Sequence, residues 1–507
     1  MKVGVKHIFA IGKKHNLIKR FLKASAIYSV LGVLPFASRI VLLPIYLKYL
    51  QQRDFGIMSL NGTLSGALII FLSLGLDQSF VRYYFNYKHR ENILNAYVST
   101  ILISIGGFAS LVTLASLFFG NQLHHLLFKD PSFTYIPFGI TAFLYAIISI
   151  LNGVILSYFR NRHEAVNYGL LAGGAFIIGT IAEFLAIVYF KLDVGGILWV
   201  KILTLLAYSA IFWIYILAKI KIRFDHRFLK SSSRYSLWMI LYVLMSSIFS
   251  SWDRIIIENN FNMSTLAVYS LAMSISQFVE ISITSVQNTM YPSVYEMFKE
   301  DFRGKAGAIN QVFRGMGLVI LLVIAALSIL TPVAVFNFIK HADYSGVVYV
   351  VPFIMVSYIF RYLYVTISIP LFYFTSQAWR LFLLNATLAL VSLPLNLFLI
   401  PRVGLLGAAF ANMAGRAAQV ALTYYWAQQV SDFRFNFRNI TPLLIVMSVV
   451  LMAVAVFVAN NHWGRVYTYI ATSIPILVML AFLSYIFFVR YRHIPLLQKA
   501  KHLREMI

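Results

Sequence analysis

Along this chain the apolar positions run together in long blocks, and the polar positions collect in short gaps between them. The first block, Ala24–Leu47, carries a single charge, Arg39. At a helical rise of about 1.5 Å per residue, a block of that length crosses a hydrocarbon core of roughly 30 Å. An echo of it follows near 235–271. The pattern predicts about fourteen spanning helices, over 24–47, 57–76, 95–119, 133–158, 166–190, 194–218, 235–257, 264–290, 312–336, 346–370, 379–400, 404–428, 440–459 and 466–489. Connections are short, the longest internal ones being 219–234 and 291–311. No connection on the side opposite the N-terminus exceeds about 15 residues.

The second half of the pattern repeats the first. DFGIMSL (54–60) is echoed by TLAVYSL (265–271), Tyr158-Phe159 by Tyr373-Phe374, and Val194-Gly195 by Val403-Gly404. All three pairs keep one order and an offset of about 210 residues. Six helices per half is an even number, so the halves share one orientation, and their pseudo-twofold is expected along the membrane normal. The expected fold is an all-α polytopic membrane protein with two six-helix lobes and two added C-terminal helices. It comprises a basic segment 1–23, a first lobe 24–218, a linker 219–234, a second lobe 235–428, the added pair in 429–489 and a tail 490–507.

Composition sharpens the membrane reading. Of 507 residues, 60% are hydrophobic and 12% charged, with mean hydropathy +0.79. Soluble domains carry about twice that charge fraction, so little chain is left for one. The net charge of +25 lies mostly in the gaps, where it sets topology and does not point to nucleic acid. Counting cations at block ends with the adjoining gap, about thirty Lys and Arg fall on the side of the N-terminus and about eight on the other. Both termini and 219–234 are therefore expected in the cytoplasm. The basic segment 1–23 reads as a topology signal or as a helix lying on an anionic inner leaflet. No small-residue cleavage pattern follows the first block, so that block is expected to be retained. With no cysteine, disulfide and thiol chemistry are excluded.

No catalytic motif occurs: H-E-x-x-H, the P-loop and G-x-S-x-G are all missing. No catalytic residue and no metal site is expected. None of the 11 histidines lies inside a predicted span, and His124-His125 read as a solvated pair in a short external loop. The informative residues are charges within spans. Arg39, Lys201, Arg361 and Arg416 are candidates to line a cavity, and Glu183 and Glu280 are the two carboxylates well inside spans. Either carboxylate suits a coupling ion, since partial desolvation raises its proton affinity. The structural alternative pairs Arg39 with Glu183 and Arg361 with Glu280, locking helices together. Lys201 lies near enough to an interface to snorkel. Asp77 and Arg82 flank the inner end of span two as gate candidates. Asp253-Arg254 read as interfacial, with Arg254 and Glu258 spaced for a local pair. The run Tyr83, Tyr84, Phe85 and Tyr87 fits an aromatic belt. Prolines at 35, 44, 332, 352, 370 and 394 permit kinks.

YSVLG from Tyr28, RDFGIMSL (53–60), GLDQSFVRYY (75–84) and YFRN from Tyr158 resemble bacterial polysaccharide-transport proteins. These are the O-antigen and oligosaccharide-lipid flippases of the multidrug/oligosaccharidyl-lipid/polysaccharide exporter (MOP) superfamily. The resemblance covers roughly 24–489. It implies two six-helix lobes around a central cavity in a bacterial inner membrane. It implies flipping of an undecaprenyl-pyrophosphate-linked glycan by alternating access, serving O-antigen, capsule or exopolysaccharide assembly. It also implies coupling to H+ or Na+, no other cofactor, and polysaccharide-assembly membrane proteins as further partners. The last two spans resemble those of fourteen-helix members such as lipid II flippases. Independently of the resemblance, three arginines near mid-span suit a pyrophosphate, which guanidinium groups bind in bidentate fashion. The alternatives are a multidrug exporter of the same superfamily, for which an acidic cavity suits cationic cargo better, and a membrane glycan polymerase or ligase, which would need a sizeable outward loop.

Overall fold

The computed structural model describes residues 41–491 apart from 88, 163, 221, 234–235, 237–251, 302–303, 339–343, 374–377, 432, 439 and 461–464. The segment 1–23, Arg39, most of the block 235–257 and 492–507 lie outside the described residues. Helices dominate, and no strand occurs among the described residues. Ten of the described helices are long and apolar enough to cross a bilayer. The chain divides into two compact units, 1–244 and 245–507.

Unit 1 contains α1 (41–49), α2 (Gln52–Ser73), α3 (Leu76–Tyr87), α4 (Glu91–Leu127), α5 (Ile140–Asn161), α6 (Ala165–Val188), α7 (Val194–Lys219) and the short α8 (226–233). A π-turn over Tyr135–Gly139 leads into α5. Local chemistry sets several of these ends. Leu74 and Gly75 both take left-handed backbone angles, which break α2 from α3. Asp193 caps α7 by accepting from the Gly196 amide at 3.0 Å. α5 packs against α2, α3, α4, α6 and α7, so it forms the middle of the unit.

Two expectations change in unit 1. α4 runs 37 residues, well beyond the expected 95–119, and its last turn includes His124 and His125. His124 is buried against Phe128, Phe133 and Tyr135, with ring centroids at 4.9, 5.0 and 6.3 Å, so it is a core residue of the helix end and not a solvated loop residue. The aromatic run after α2 is not a simple belt either. Tyr84 is buried in a cluster with Phe80, Tyr97, Tyr158 and Phe159, because α3 folds back onto α4 and α5.

Unit 2 contains α9 (Trp252–Asn260), α10 (Met263–Asp301), α11 (Ala306–Phe338), α12 (Val347–Ile367), α13 (Ile369–Tyr373), α14 (Ala378–Val403), α15 (Leu405–Val430), α16 (Thr441–Asn460) and α17 (Arg465–Tyr491). α12 occupies the middle, packing against α10, α11, α15 and α16, and nearly all its residues are buried. α14 and α15 lie tightly together. Gly407, Ala411 and Gly415, four residues apart, are all buried. A Cβ on Gly407 would come within 2.5 Å of the Leu399 carbonyl oxygen, so only glycine admits this approach. Gln419 extends the same stripe and donates to the Leu384 carbonyl and to Asn385 Oδ1, both at 3.2 Å. Pro332, Pro352, Pro394, Pro401 and Pro475 sit inside helices of this unit, as membrane helices tolerate.

Candidate functional site

In unit 1, Glu183 of α6 is buried, with 4% of its side chain exposed. Lys201 of α7 places Nζ 3.0 Å from Oε1. Tyr46 of α1 donates its hydroxyl to Oε2 at 2.6 Å. The Lys201 ammonium also lies over the Tyr145 ring of α5, 5.4 Å from its centroid. Four helices thus meet at one neutral group, in which each carboxylate oxygen has its own donor. Glu183 pairs with Lys201; Arg39 lies outside the described residues.

A second ionic cluster closes the end of unit 1 where α4 and α6 begin and α5 and α7 end. Arg162 reaches Glu91 at 3.3 Å and Glu164 at 3.1 Å, and Lys219 reaches Glu164 at 3.3 Å. The Arg162 guanidinium also donates to the Tyr158 hydroxyl at 3.1 Å. Burial works against its charge, but Tyr158, Glu91, Tyr84 and Glu164 outweigh burial and raise its proton affinity above the ordinary arginine value. Sequence reasoning missed this cluster; charges at four consecutive span ends were the available signal. Of the gate candidates, Asp77 lies in the first turn of α3 and accepts from Gln78 at 3.0 Å. Arg82 lies on α3, and its side chain is outside the described ones.

In unit 2, Glu280 of α10 and Arg361 of α12 form a forked pair. Arg361 Nε lies 3.1 and 3.2 Å from the two carboxylate oxygens, and Nη2 lies 2.8 Å from Oε1. Both side chains keep partial exposure, 32% for Glu280 and 29% for Arg361. The Arg361 guanidinium also lies over the Tyr364 ring. Arg416, in the middle of α15, sits over the Tyr358 ring at 4.9 Å and donates from Nε to Asn412 Oδ1 at 3.2 Å. It interacts electrostatically with Glu280 and Arg361, yet no carboxylate lies within salt-bridge distance of it among the described residues. The group therefore holds one positive charge in excess. Tyr358 and Asn412 were missed from sequence; Asn412 sits one helical turn before Arg416, a spacing that would have found it, whereas Tyr358 meets Arg416 from another helix and left no local signal.

Close by in sequence, Asp253 differs from its interfacial reading. It is buried, accepts the Tyr269 hydroxyl at 2.5 Å and takes the Arg254 amide at 2.8 Å. Glu258 is buried as well. The first turn of α9 is thus held against α10 by a carboxylate–phenol contact. Among the described residues, no group of three or more His, Asp or Glu is arranged to hold a metal ion.

Apolar helices in two units, with charged groups held inside each, define a polytopic helical membrane protein. Residues 21–298 match the family described as polysaccharide biosynthesis protein, and the chain belongs to that family. No curated protein matches the sequence. Among solved structures, the fold is similar to a lipid II flippase MurJ in an inward closed conformation, with TM-score 0.65 and 14% identity over 90% of this chain and 98% of that one. It is also similar to an inward-facing multidrug resistance MATE family transporter of the MOP superfamily, with TM-score 0.61 and 14% identity over 79% of this chain and 94% of that one. A MATE structure in complex with MaD3S follows with TM-score 0.56 and 14% identity over 80% of this chain and 95% of that one. The chain therefore has the MOP superfamily fold.

Proposed function

We propose that the protein is a flippase that moves an undecaprenyl-pyrophosphate-linked oligosaccharide, an O-antigen, capsule or exopolysaccharide repeat unit, from the cytoplasmic to the outer leaflet by alternating access. One observation carries the choice of an anionic cargo. Arg416 is a guanidinium in the middle of a membrane helix, beside an already neutralised Glu280–Arg361 pair, with no carboxylate of its own among the described residues. An uncompensated arginine at that depth costs about 2.5–3.5 kcal/mol on insertion scales, a cost that a bound anion offsets. Arg361 supplies a second fork if the cargo's phosphate displaces Glu280, and Arg39 is the contribution proposed from the first half of the chain. Glu280, once displaced, is the carboxylate proposed to take up the coupling ion, H+ or Na+. Glu183 is the lesser candidate, because Lys201 and Tyr46 occupy both its oxygens. Lys201 accordingly contributes less to the cargo path than its position along the chain suggested.

The family description, the MOP fold and the absence of any catalytic motif support transport over enzymatic chemistry. The inner membrane of a bacterium, with both termini in the cytoplasm, is the location proposed on the charge asymmetry. The likeness to MATE transporters keeps a multidrug exporter as the second reading. The test is reconstitution in liposomes with a labelled polyprenyl-pyrophosphate glycan. Movement of that glycan between leaflets is the expected result; transport of organic cations with no glycan movement would replace the proposal with the second reading.

A further inference from the structure

Between α7 and α8 the chain does something that the cargo reading does not need. The segment after Lys219 is pinned to α4 by its backbone. The Arg223 amide donates to Ser99 Oγ and the Asp225 amide to Thr100 Oγ1, both at 3.0 Å. α8 then lies along unit 1 on one face. Phe228 packs on Tyr87 and Tyr97 with ring centroids at 5.2 and 5.7 Å, Leu229 joins the same core, and Ser232 is fully buried. The opposite face, with His226, Arg227, Lys230 and Ser233, is exposed. Ahead of it, Arg223 is exposed between two exposed apolar side chains, Ile222 at 67% and Phe224 at 50%. Asp225 is the one acid in this stretch, 3.7 Å from Arg227, whose side chain is 93% exposed.

The level of this segment follows from α4. Its 37 residues make a helix of about 55 Å, so one centred on a 30 Å hydrocarbon core projects about 12 Å beyond it at each end. Ser99 stands eight residues after Glu91, about 12 Å along the helix, and so at the edge of the hydrocarbon layer. Exposed isoleucine and phenylalanine at that depth meet lipid, and cations beside them meet headgroups.

We infer that 222–230 is a binding site for anionic phospholipid: Ile222 and Phe224 enter the interfacial layer, and Arg223, Arg227 and Lys230 hold the phosphate-bearing headgroups. This site consists of unit 1 residues alone and stands whether or not the cargo is a glycan lipid. The occupant is a bilayer lipid because the cations are interleaved with apolar side chains at the depth of the headgroups, and three cations face outward against one acid.

Two measurements test it on the full-length protein. In the first, native mass spectrometry counts phosphatidylglycerol retained by the detergent-released protein. The variant Arg223→Gln/Arg227→Gln/Lys230→Gln is expected to bind it about a hundred-fold more weakly, at about five-fold per cation, and Arg223→Lys/Arg227→Lys is expected to bind as the parent does. Since these side chains are exposed, the triple variant is expected to keep the parent melting temperature. In the second, the natural lack of cysteine allows a spin label to be placed at Phe224→Cys without background. In phosphatidylglycerol-containing vesicles the label is expected to be reached by oxygen and shielded from a water-soluble relaxant. Unchanged phosphatidylglycerol retention in the triple variant, or a label at 224 open to the aqueous relaxant, overturns the proposal; the latter would favour a soluble protein partner on this face.

Discussion

Each unit holds a carboxylate inside an apolar helix and meets it with a cation from a neighbouring helix, but the two carboxylates differ in closure. Glu183 in unit 1 is buried, its oxygens shared between Tyr46 and Lys201, and only the lysine keeps exposure, 36% of its side chain. Glu280 in unit 2 keeps a third of its side chain exposed, takes its side-chain hydrogen bonds from Arg361, and has Arg416 nearby. The unit 1 pair carries no net charge, and removing Lys201 would leave Glu183 as a buried charge. A partly open pair beside a surplus guanidinium keeps a net positive charge, which would attract an anion. Under the proposed function the two pairs take different tasks, a clamp in unit 1 and a binding group in unit 2.

The sharpest way to break this contrast is Arg416→Ala. It is expected to lower glycan flipping in proteoliposomes about ten- to hundred-fold, the worth of one charge-assisted contact, at unchanged protein level. Arg416→Lys should recover part of it, since charge survives but the fork does not. Full activity in Arg416→Ala would remove the binding role from unit 2. Next in size is an asymmetry within the unit 2 pair. Glu280→Ala leaves two guanidiniums facing each other, a loss of about 2–3 kcal/mol after allowing for partial exposure. Arg361→Ala leaves Glu280 with Arg416 as a substitute partner and should cost about 1 kcal/mol. Apparent melting temperatures of the purified variants check the order; equal falls would mean that Arg416 does not reach Glu280.

The clamp predicts the reverse separation of stability and transport. Glu183→Gln/Lys201→Gln, which removes both charges together, is expected to flip glycan at near the parent rate, because replacing both members of an ion pair leaves no uncompensated charge on the buried side. Glu280→Gln/Arg361→Gln should fold yet lose transport. The smallest expected effect is Tyr46→Phe, about 1 kcal/mol for one hydrogen bond to a carboxylate, read as a lower melting temperature with transport kept. A transport defect in Tyr46→Phe at normal stability would give Glu183 a direct part in the cycle.

Most helix positions were legible along the chain. The expected 194–218 and 404–428 became Val194–Lys219 and Leu405–Val430, because runs of apolar residues long enough to span a bilayer leave the backbone no other way to satisfy its hydrogen bonds. The errors came where polar residues are buried by neighbours. His124 lies in the last turn of an overlong α4, and only the aromatic side chains of the following turn make that position apolar. Asp253 reads as interfacial along the chain, yet Tyr269, 16 residues on, donates its hydroxyl to it and the carboxylate is buried.

The sequence by itself determined that the chain is a bundle of membrane helices, and which charges lie within them, because hydropathy acts along one dimension and a bilayer reads it directly. It narrowed the Arg361 choice to lining a cavity or pairing with Glu280. Only the tertiary structure decided the contacts. Arg361 meets Glu280 across 81 positions, Tyr46 meets Glu183 across 137, and Arg416 is left with a tyrosine face. A hydrogen bond requires heavy atoms within about 3 Å, and that distance depends on how each helix is rotated about its axis and how closely it packs. Features such as the Gly407–Gly415 stripe, which draws α15 onto α14, set those rotations through contacts that no local spacing records.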